Sequence, residues 1–483
     1  MSAETSLPAL ARGASHEASA ASWLVLALLG AAQLMVVVDG TVVNVALPSI
    51  SRSLSLAPGQ VQWVATIYLL CTGGMMLLAG RGADRFGRRR ALLAGITVFV
   101  AASLASGLAT DATMLICARA AQGVAAALLS PAALSIITTT YTGPRQVRAL
   151  STWGAIGAGG FVAGLLIGGV ITTELGWRWI FFINVPVGAV ALALIPVLVA
   201  ADDAATKARP GRLPAAAAAA LTAGLVAIVY AISGPDGWDS ARALAAAGAG
   251  LLLLAAFALL DRRSADPMLA AALLRTRSLI AGSVLMAAIT GLLSGTLFVT
   301  TFFIQQQLHA SALRTGLEYL PFAVAIGLAA HGAPRLLRLL GTRVIACAGL
   351  LAVAAGALLL ALGAGYGYPA GLLPAFVLLG AGTGLAIVSA SVSAMSGVPD
   401  GHAGAASGLL MTGHEAGGAL GVAVLSSVAA AAGAHSAAGL RIAAGHHVAF
   451  IVIAVAGTML AVLAAVVMPT VRPPAGGGHV GPH

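Results

Sequence analysis

The stretch WLVLALLGAAQLMVVVDGTVVNVAL, Trp23 to Leu47, decides the fold class. It holds a single charged residue, Asp39. A helix rises about 1.5 Å per residue, so a run of this length outspans the roughly 30 Å hydrocarbon core of a bilayer. Working outward, similar runs recur to the end of the chain. They predict spans at 23–47, 60–79, 91–109, 112–140, 149–172 and 180–200. Two more follow at 213–232 and 243–260, then six at 279–304, 317–333, 344–365, 369–396, 404–430 and 447–468. The segments 243–260 and 317–333 are short for a crossing and read alternatively as re-entrant or interfacial. The expected fold is an all-α polytopic membrane protein with 14 transmembrane helices.

Composition excludes a soluble protein. Of the residues, 59% are hydrophobic and 8% charged, whereas a soluble domain carries about a quarter charged residues to solvate its surface. The net charge of +10 would suggest nucleic acid if it formed a patch. Here it is scattered between spans, so no nucleic-acid partner is expected and the lipid bilayer is. Cys71, Cys117 and Cys347 all lie inside apolar runs, with neither disulfide nor metal-ligand spacing. Residues 1–22 form a polar tail without the pattern of a cleaved signal peptide.

Basic residues orient the spans. With the N-terminus in the cytoplasm, the inner loops and tails hold 19 of them and the outer loops 5: Arg52, Arg178, Arg242, Arg314 and Arg441. Arg119 is left within the membrane. The even span count places both termini in the cytoplasm, at a cell (plasma or inner) membrane.

Five segments are expected: a cytoplasmic tail (1–22), a six-helix half (23–200), a linker region with two additional helices (201–278), a second six-helix half (279–468) and a cytoplasmic tail (469–483). The fifth span of each half supports a duplication. One carries Gly160, Gly164 and Gly168, and the other Gly413, Gly417 and Gly421. This spacing lines one helix face with small residues, which lets backbones approach closely. The loop after each second span is also related: GRGADRFGRRR (Gly80 to Arg90) and the weaker PRLLRLLGTR (Pro334 to Arg343) both set arginines around a glycine.

Four local patterns, in order, carry a resemblance to a known family. They are VVVDGTVVNVALP (Val36 to Pro48), GRGADRFGRRR, RAAQG (Arg119 to Gly123) and WRWIFFINVPVG (Trp177 to Gly188). The chain resembles the major facilitator superfamily, and within it the fourteen-span drug:proton antiporters, from about Trp23 to Met468. The resemblance implies two six-helix halves rocking around a central cavity, and multidrug efflux: export of hydrophobic drugs, antibiotics or secondary metabolites, cationic ones included, in exchange for protons. One departure weakens the exchange assignment. Leu165 stands where that subset has a proline in the fifth helix, which leaves a uniporter or a proton-coupled importer as alternatives. A non-transporting membrane sensor is the alternative from another class.

The residues themselves suggest where the chemistry sits. Asp39 lies about 16 residues into the first span, roughly 12 Å from its outer end, and Arg119 lies at similar depth on the fourth. A buried carboxylate costs about 3 kcal/mol on insertion scales and usually marks an ion path or a partner. Asp39, Arg119 and Gln122 are therefore expected to border one polar cavity, with Asp39 exchanging protons. A permanent structural ion pair is the alternative. His414 and Glu415 form a second candidate pair on the thirteenth span, with Glu415 turned away from the glycine stripe; a carboxylate neutralised by its surroundings is the alternative. In the first loop motif, Gly80 and Gly87 permit tight turns, and Asp84 with Arg85 and Arg88 is expected to form a conformational latch. The alternative is that the arginines only fix topology. Gln305 to Gln307 read as solvated loop or outer rim. Nucleotide-cradling GxxxxGK[ST] and zinc-binding HExxH patterns are absent, and His446–His447 lack further ligands. No catalytic, cofactor-binding or metal site is expected, and the working unit is expected to be a monomer.

Overall fold

The computed structural model describes residues 7–202, 214–234, 239–264, 267–363, 368–399, 402–434 and 441–472. Side chains are described from Trp23 onward, apart from those at 58, 84, 434 and 441–443. Lys207, Arg209, Arg212 and the side chains of Arg12, Asp84 and Arg441 therefore lie outside the described residues.

Thirteen described helices are long and apolar enough to cross a membrane. One of them, Ala312–Gly363, has 52 residues, about 78 Å at 1.5 Å per residue and more than twice the hydrocarbon thickness. It is broken at Gly341, whose φ of 80° and ψ of 165° are not helical. It is thus two crossings, and the described residues hold fourteen. We number them α1 (Leu7–Ser53), α2 (Pro58–Phe86), α3 (Arg88–Gly107), α4 (Ala112–Thr140), α5 (Gly143–Glu174), α6 (Trp179–Leu198), α7 (Ala215–Ser233), α8 (Ala241–Arg263), α9 (Arg277–Gln307), α10 (312–340), α11 (342–363), α12 (Tyr368–Met395), α13 (Ala403–Ala434) and α14 (Arg441–Val467). The two spans expected to be short are α8 and α10; α8 is continuous, and α10 has one turn at Tyr319, between Ala312–Glu318 and the helix that starts at Leu320.

Duplication shows in the packing as well as in the sequence. Gly160, Gly164 and Gly168 of α5 lie against Val37, Thr41 and Val42 of α1. Gly413, Gly417 and Gly421 of α13 lie against Ser283, Ala287 and Gly291 of α9, where a Cβ on Gly417 or Gly421 would meet a carbonyl oxygen at 2.1 or 2.0 Å. The fifth helix of each half therefore packs on the first through a glycine stripe. The breaks after each second helix also correspond. Gly87 has φ 103° and Gly341 φ 80°, a region that glycine alone enters without strain. Two residues on, Arg89 Nη1 donates to Val199 O (3.0 Å) and Arg343 Nε to Met468 O (2.7 Å), so each loop holds the end of its half's sixth helix.

The additional helices are unequal. Only 11% of the apolar window of α8 is buried, against 39% of that of α7. α8 faces lipid, and α7 lies between it and α2 and α13. The halves meet chiefly along two seams, α2 with α13 and α5 with α10, with a smaller contact of α1 on α9 and α10. At their arginine-poor ends, Leu313 N of α10 donates to Thr173 Oγ1 of α5 at 3.0 Å. Gln305 departs from its expected place in solvent or at a rim. A π turn over Phe303–Gln307 ends α9 and buries Gln305, whose Nε2 donates to Val45 O of α1 at 2.8 Å.

Candidate functional site

Asp39 and Arg119, 80 residues apart, meet as a direct ion pair inside the first half. α1 carries the carboxylate and α4 the guanidinium. The remaining valences are filled by four helices. Asp39 Oδ1 accepts from Gln122 Nε2 and from Asn184 Nδ2 of α6, both at 2.9 Å. Gln122 Nε2 also donates to Ser103 Oγ of α3 (2.8 Å), and Ser106 Oγ, one turn further along α3, donates to Gln122 Oε1 (3.1 Å). Arg119 Nη1 donates to Gln122 Oε1 and its Nε to Val64 O of α2, each at 3.1 Å. The Tyr68 ring lies 4.3 Å from the guanidinium carbon, a cation–π contact.

This connectivity explains how two charges are held away from water. Asp39 is 0% and Arg119 1% exposed. Desolvating such a pair costs several kcal/mol per ion, which their attraction offsets only where further hydrogen bonds satisfy both partners, and here they do. Local sequence periodicity builds the arrangement: Arg119 and Gln122 are one helical turn apart on α4, as are Ser103 and Ser106 on α3. Asp39, Arg119 and Gln122 were expected to border a cavity, and the structure brings all three together. In this conformation they are enclosed rather than lining open space. Ser103, Ser106, Asn184 and Tyr68 were not anticipated; the signal was polar side chains at one-turn spacing inside apolar runs.

His414 and Glu415 are apart from this cluster, on α13. His414 Nδ1 lies 3.5 Å from Glu415 Oε1, with the side chains 37% and 19% exposed. Glu415 faces α2, where a Cβ on Gly73 would sit 2.8 Å from the Glu415 Cβ. The glycine stripe of the same helix faces α9, so the two faces separate as the 100° periodicity required.

In the first loop motif, the described aspartate partner is Asp202, beyond the end of α6. Its two carboxylate oxygens accept from Arg89 N (3.1 Å) and Arg90 N (3.2 Å), at the start of α3. Arg85 lies 5.9 Å from the Phe86 ring centre, and Arg81 donates to Pro267 O. Gly80 lies by Pro131 of α4. The expected Asp84 contact lies outside the described side chains.

A further buried carboxylate, on α10, was also missed. Glu318 of α10 is 5% exposed; its Oε1 accepts from Arg314 Nε at 2.8 Å, and its Oε2 is buried without a partner. The histidine pair diverges: His446 sits against the Phe303 ring, and His447 Nδ1 lies 3.0 Å from Ala361 O. Among the described residues no group of three or more His, Cys, Asp or Glu is placed to hold a metal ion.

With two packed halves and a buried charge cluster in place, the comparisons with known proteins are decisive. The profile of the Major Facilitator Superfamily matches residues 29–422. The chain belongs to that superfamily. It is similar to the puromycin resistance protein pur8 of Streptomyces alboniger, with 40% identity over 85% of this chain and 82% of that one. It is also similar to the cephamycin export protein CmcT of Amycolatopsis lactamdurans, with 37% identity over 97% of each. Among solved structures, the peptide transporter POT aligns with a TM-score of 0.65 at 17% identity, over 91% of this chain and 93% of that one. At that identity the likeness is one of fold. The protein is a multi-pass membrane transporter of the superfamily, and its ion pair lies within the matched region.

Proposed function

We propose that this transporter exports a hydrophobic antibiotic or drug in exchange for protons, by alternating access between its two halves. The observation that carries the proposal is the enclosed carboxylate of Asp39, held by Arg119, Gln122 and Asn184. Protonating Asp39 removes its charge and frees Arg119 for other partners, so binding of one proton changes which helices are held together. The resistance and export roles named for pur8 and CmcT support antibiotic efflux. His414 and Glu415 form a second titratable pair beside the α2–α13 seam, and the Gly80–Arg90 loop serves as the conformational latch. We place both termini in the cytoplasm and take the working unit as a monomer.

Inverted vesicles test the proposal with puromycin and a cephamycin as probes. Imposing an acidic interior should drive probe accumulation, and Asp39→Asn should abolish the dependence on the gradient while retaining insertion. Full gradient-driven transport by Asp39→Asn would remove Asp39 from coupling. Leu165 favours a second reading, since α5 runs unbroken from Gly143 to Glu174 with Leu165 where the antiporters it resembles place proline. Probe efflux rather than accumulation under the same gradient would identify a symporter, and movement indifferent to the gradient a uniporter.

A further inference from the structure

The additional helices lie across one seam between the halves and fasten both sides of it. α7 is seated on α2 where a Cβ on Gly74 would lie 2.2 Å from Thr222 Oγ1. Its last carbonyls, which have no partner within the helix, are taken by both halves. Gln62 Nε2 of α2 donates to Ser233 O (3.4 Å), and Ser427 Oγ of α13 donates to Ile232 O (3.0 Å). Ser426 Oγ donates to Gln62 Oε1, closing the junction. Leu70, Val229, Ala419 and Ala423 form an apolar cluster from all three helices beside it. At the opposite end, Arg81 of α2 donates to Pro267 O. Buried Asp261 of α8 orders that segment by accepting from Met268 N (2.6 Å) and Leu269 N (3.0 Å).

The two seams then differ in how far they are closed. Along α2–α13, contacts run from Gln62–Ser426 through Thr412 Oγ1 to Gly73 O (2.9 Å) and on to Leu77 against Gly408. Leu77 is about 14 Å from the arginine-rich end of α2 at 1.5 Å per residue. Along α5–α10, the Leu165 carbonyl meets Gly316 and the Phe161 ring meets Phe322 at 6.4 Å. Toward the arginine-rich side α5 continues through Gly154 and Ala158, and α10 through Gly327. A Cβ on either glycine would find no atom within 4 Å, and Ala158 is exposed. About 27 Å of α5 lies beyond Phe161 on that side.

We propose that the α7–α8 hairpin makes the α2–α13 seam a hinge, so that the halves open and close chiefly along the α5–α10 seam. The close crossing at Gly73 and Thr412 gives the pivot, and the hairpin's bonds to both helices keep them in register as the opposite seam gapes. This goes beyond the proposed export and rests only on relative movement of the halves, whatever the cargo or coupling ion.

Spin-label distance measurements in lipid nanodiscs, on samples frozen at about pH 5 and about pH 8, test the hinge, because freezing traps the populations that domain motions of microseconds to milliseconds exchange. Cys117→Ala and Cys347→Ala supply the background, with buried Cys71 retained. Ala158→Cys with Gly327→Cys reports the α5–α10 seam, and Phe86→Cys with Gly404→Cys the α2–α13 seam. The first pair should show a distance distribution about twice as wide as the second, or a separate second population. Equal widths, a wider α2–α13 distribution, or single narrow distributions at both seams would overturn the hinge. Adding Ser427→Ala and Gln62→Ala should broaden the α2–α13 distribution toward the other; no broadening would remove the hairpin's role. Hydrogen exchange on the unmodified chain gives an independent readout, with faster exchange expected at the arginine-rich ends of α5 and α10 than of α2 and α13. Equal protection there would likewise count against the hinge.

Discussion

The carboxylate of Asp202 lies so close against Gly87 that a Cβ on Gly87 would sit 2.1 Å from Asp202 Oδ2. Both residues serve one junction. Gly87 turns the chain between α2 and α3 at φ 103°, and Asp202 caps the new helix through the amides of Arg89 and Arg90. Gly87→Ala therefore meets two obstacles, a backbone conformation costing about 1–3 kcal/mol for a residue with Cβ and a collision with the cap. It should lower the melting temperature of the detergent-solubilised protein more than Asp202→Ala, which loses a cap of about 1 kcal/mol. An equal or smaller effect of Gly87→Ala would show that the junction yields easily.

Charge removal at the buried pair should be strongly non-additive. Arg119→Gln leaves Asp39 enclosed without its counter-charge, and breaking such a pair costs about 3–5 kcal/mol. Asp39→Asn with Arg119→Gln replaces both ions by amides that Gln122, Asn184 and Ser103 can still bond. The double variant should be recovered as monodisperse protein in higher yield than Arg119→Gln alone, yet show no gradient-driven transport. If the two losses simply add, the pair is not the isolated unit its geometry describes.

The glycine stripe of α13 allows a paired comparison. At Gly421, a Cβ would meet Gly291 O at 2.0 Å, which is backbone and cannot move without separating α9 from α13. At Gly404, on the same helix, nothing lies within 4 Å. Gly421→Ala should destabilise the second half and reduce transport. Gly404→Ala should be neutral or stabilising by up to about 1 kcal/mol, since alanine is the better helix former. Thermal unfolding followed by far-ultraviolet circular dichroism would distinguish them, and a tolerated Gly421→Ala would contradict the contact.

Much of this architecture is legible in the sequence because bilayer crossing imposes a length and a composition on every helix. The break between α10 and α11 is legible too, since PRLLRLLGTR places arginines and a glycine inside an otherwise apolar run. Asp39 and Arg119 stand out because charge is rare at that depth. Their partners do not: serine and asparagine are common in membrane helices, and only the packing of α3 and α6 beside α1 and α4 reveals which ones converge. Asp202 lies past a helix end, where a carboxylate ordinarily meets water. Gln305 reads as solvent-facing because the π turn that carries it to Val45 leaves no mark in hydrophobic periodicity.

Glu318 is a buried carboxylate whose two oxygens differ. Oε1 is bonded to Arg314, which is itself 60% exposed, while Oε2 is enclosed with no donor among the described residues. A buried acceptor left unsatisfied costs about 1–3 kcal/mol, more when charged. Glu318→Gln keeps the shape and the Oε1 acceptor while removing the charge and placing an NH2 where Oε2 was, so it should leave thermal stability within about 1 kcal/mol of the parent. Glu318→Ala should instead lower it, because the truncation opens space beside Tyr319 and Tyr368. If Glu318→Gln is destabilising by a similar amount to Glu318→Ala, the charge itself is required at that position. A proton-linked role for α10 would then be tested by repeating the gradient-driven transport measurement on Glu318→Gln.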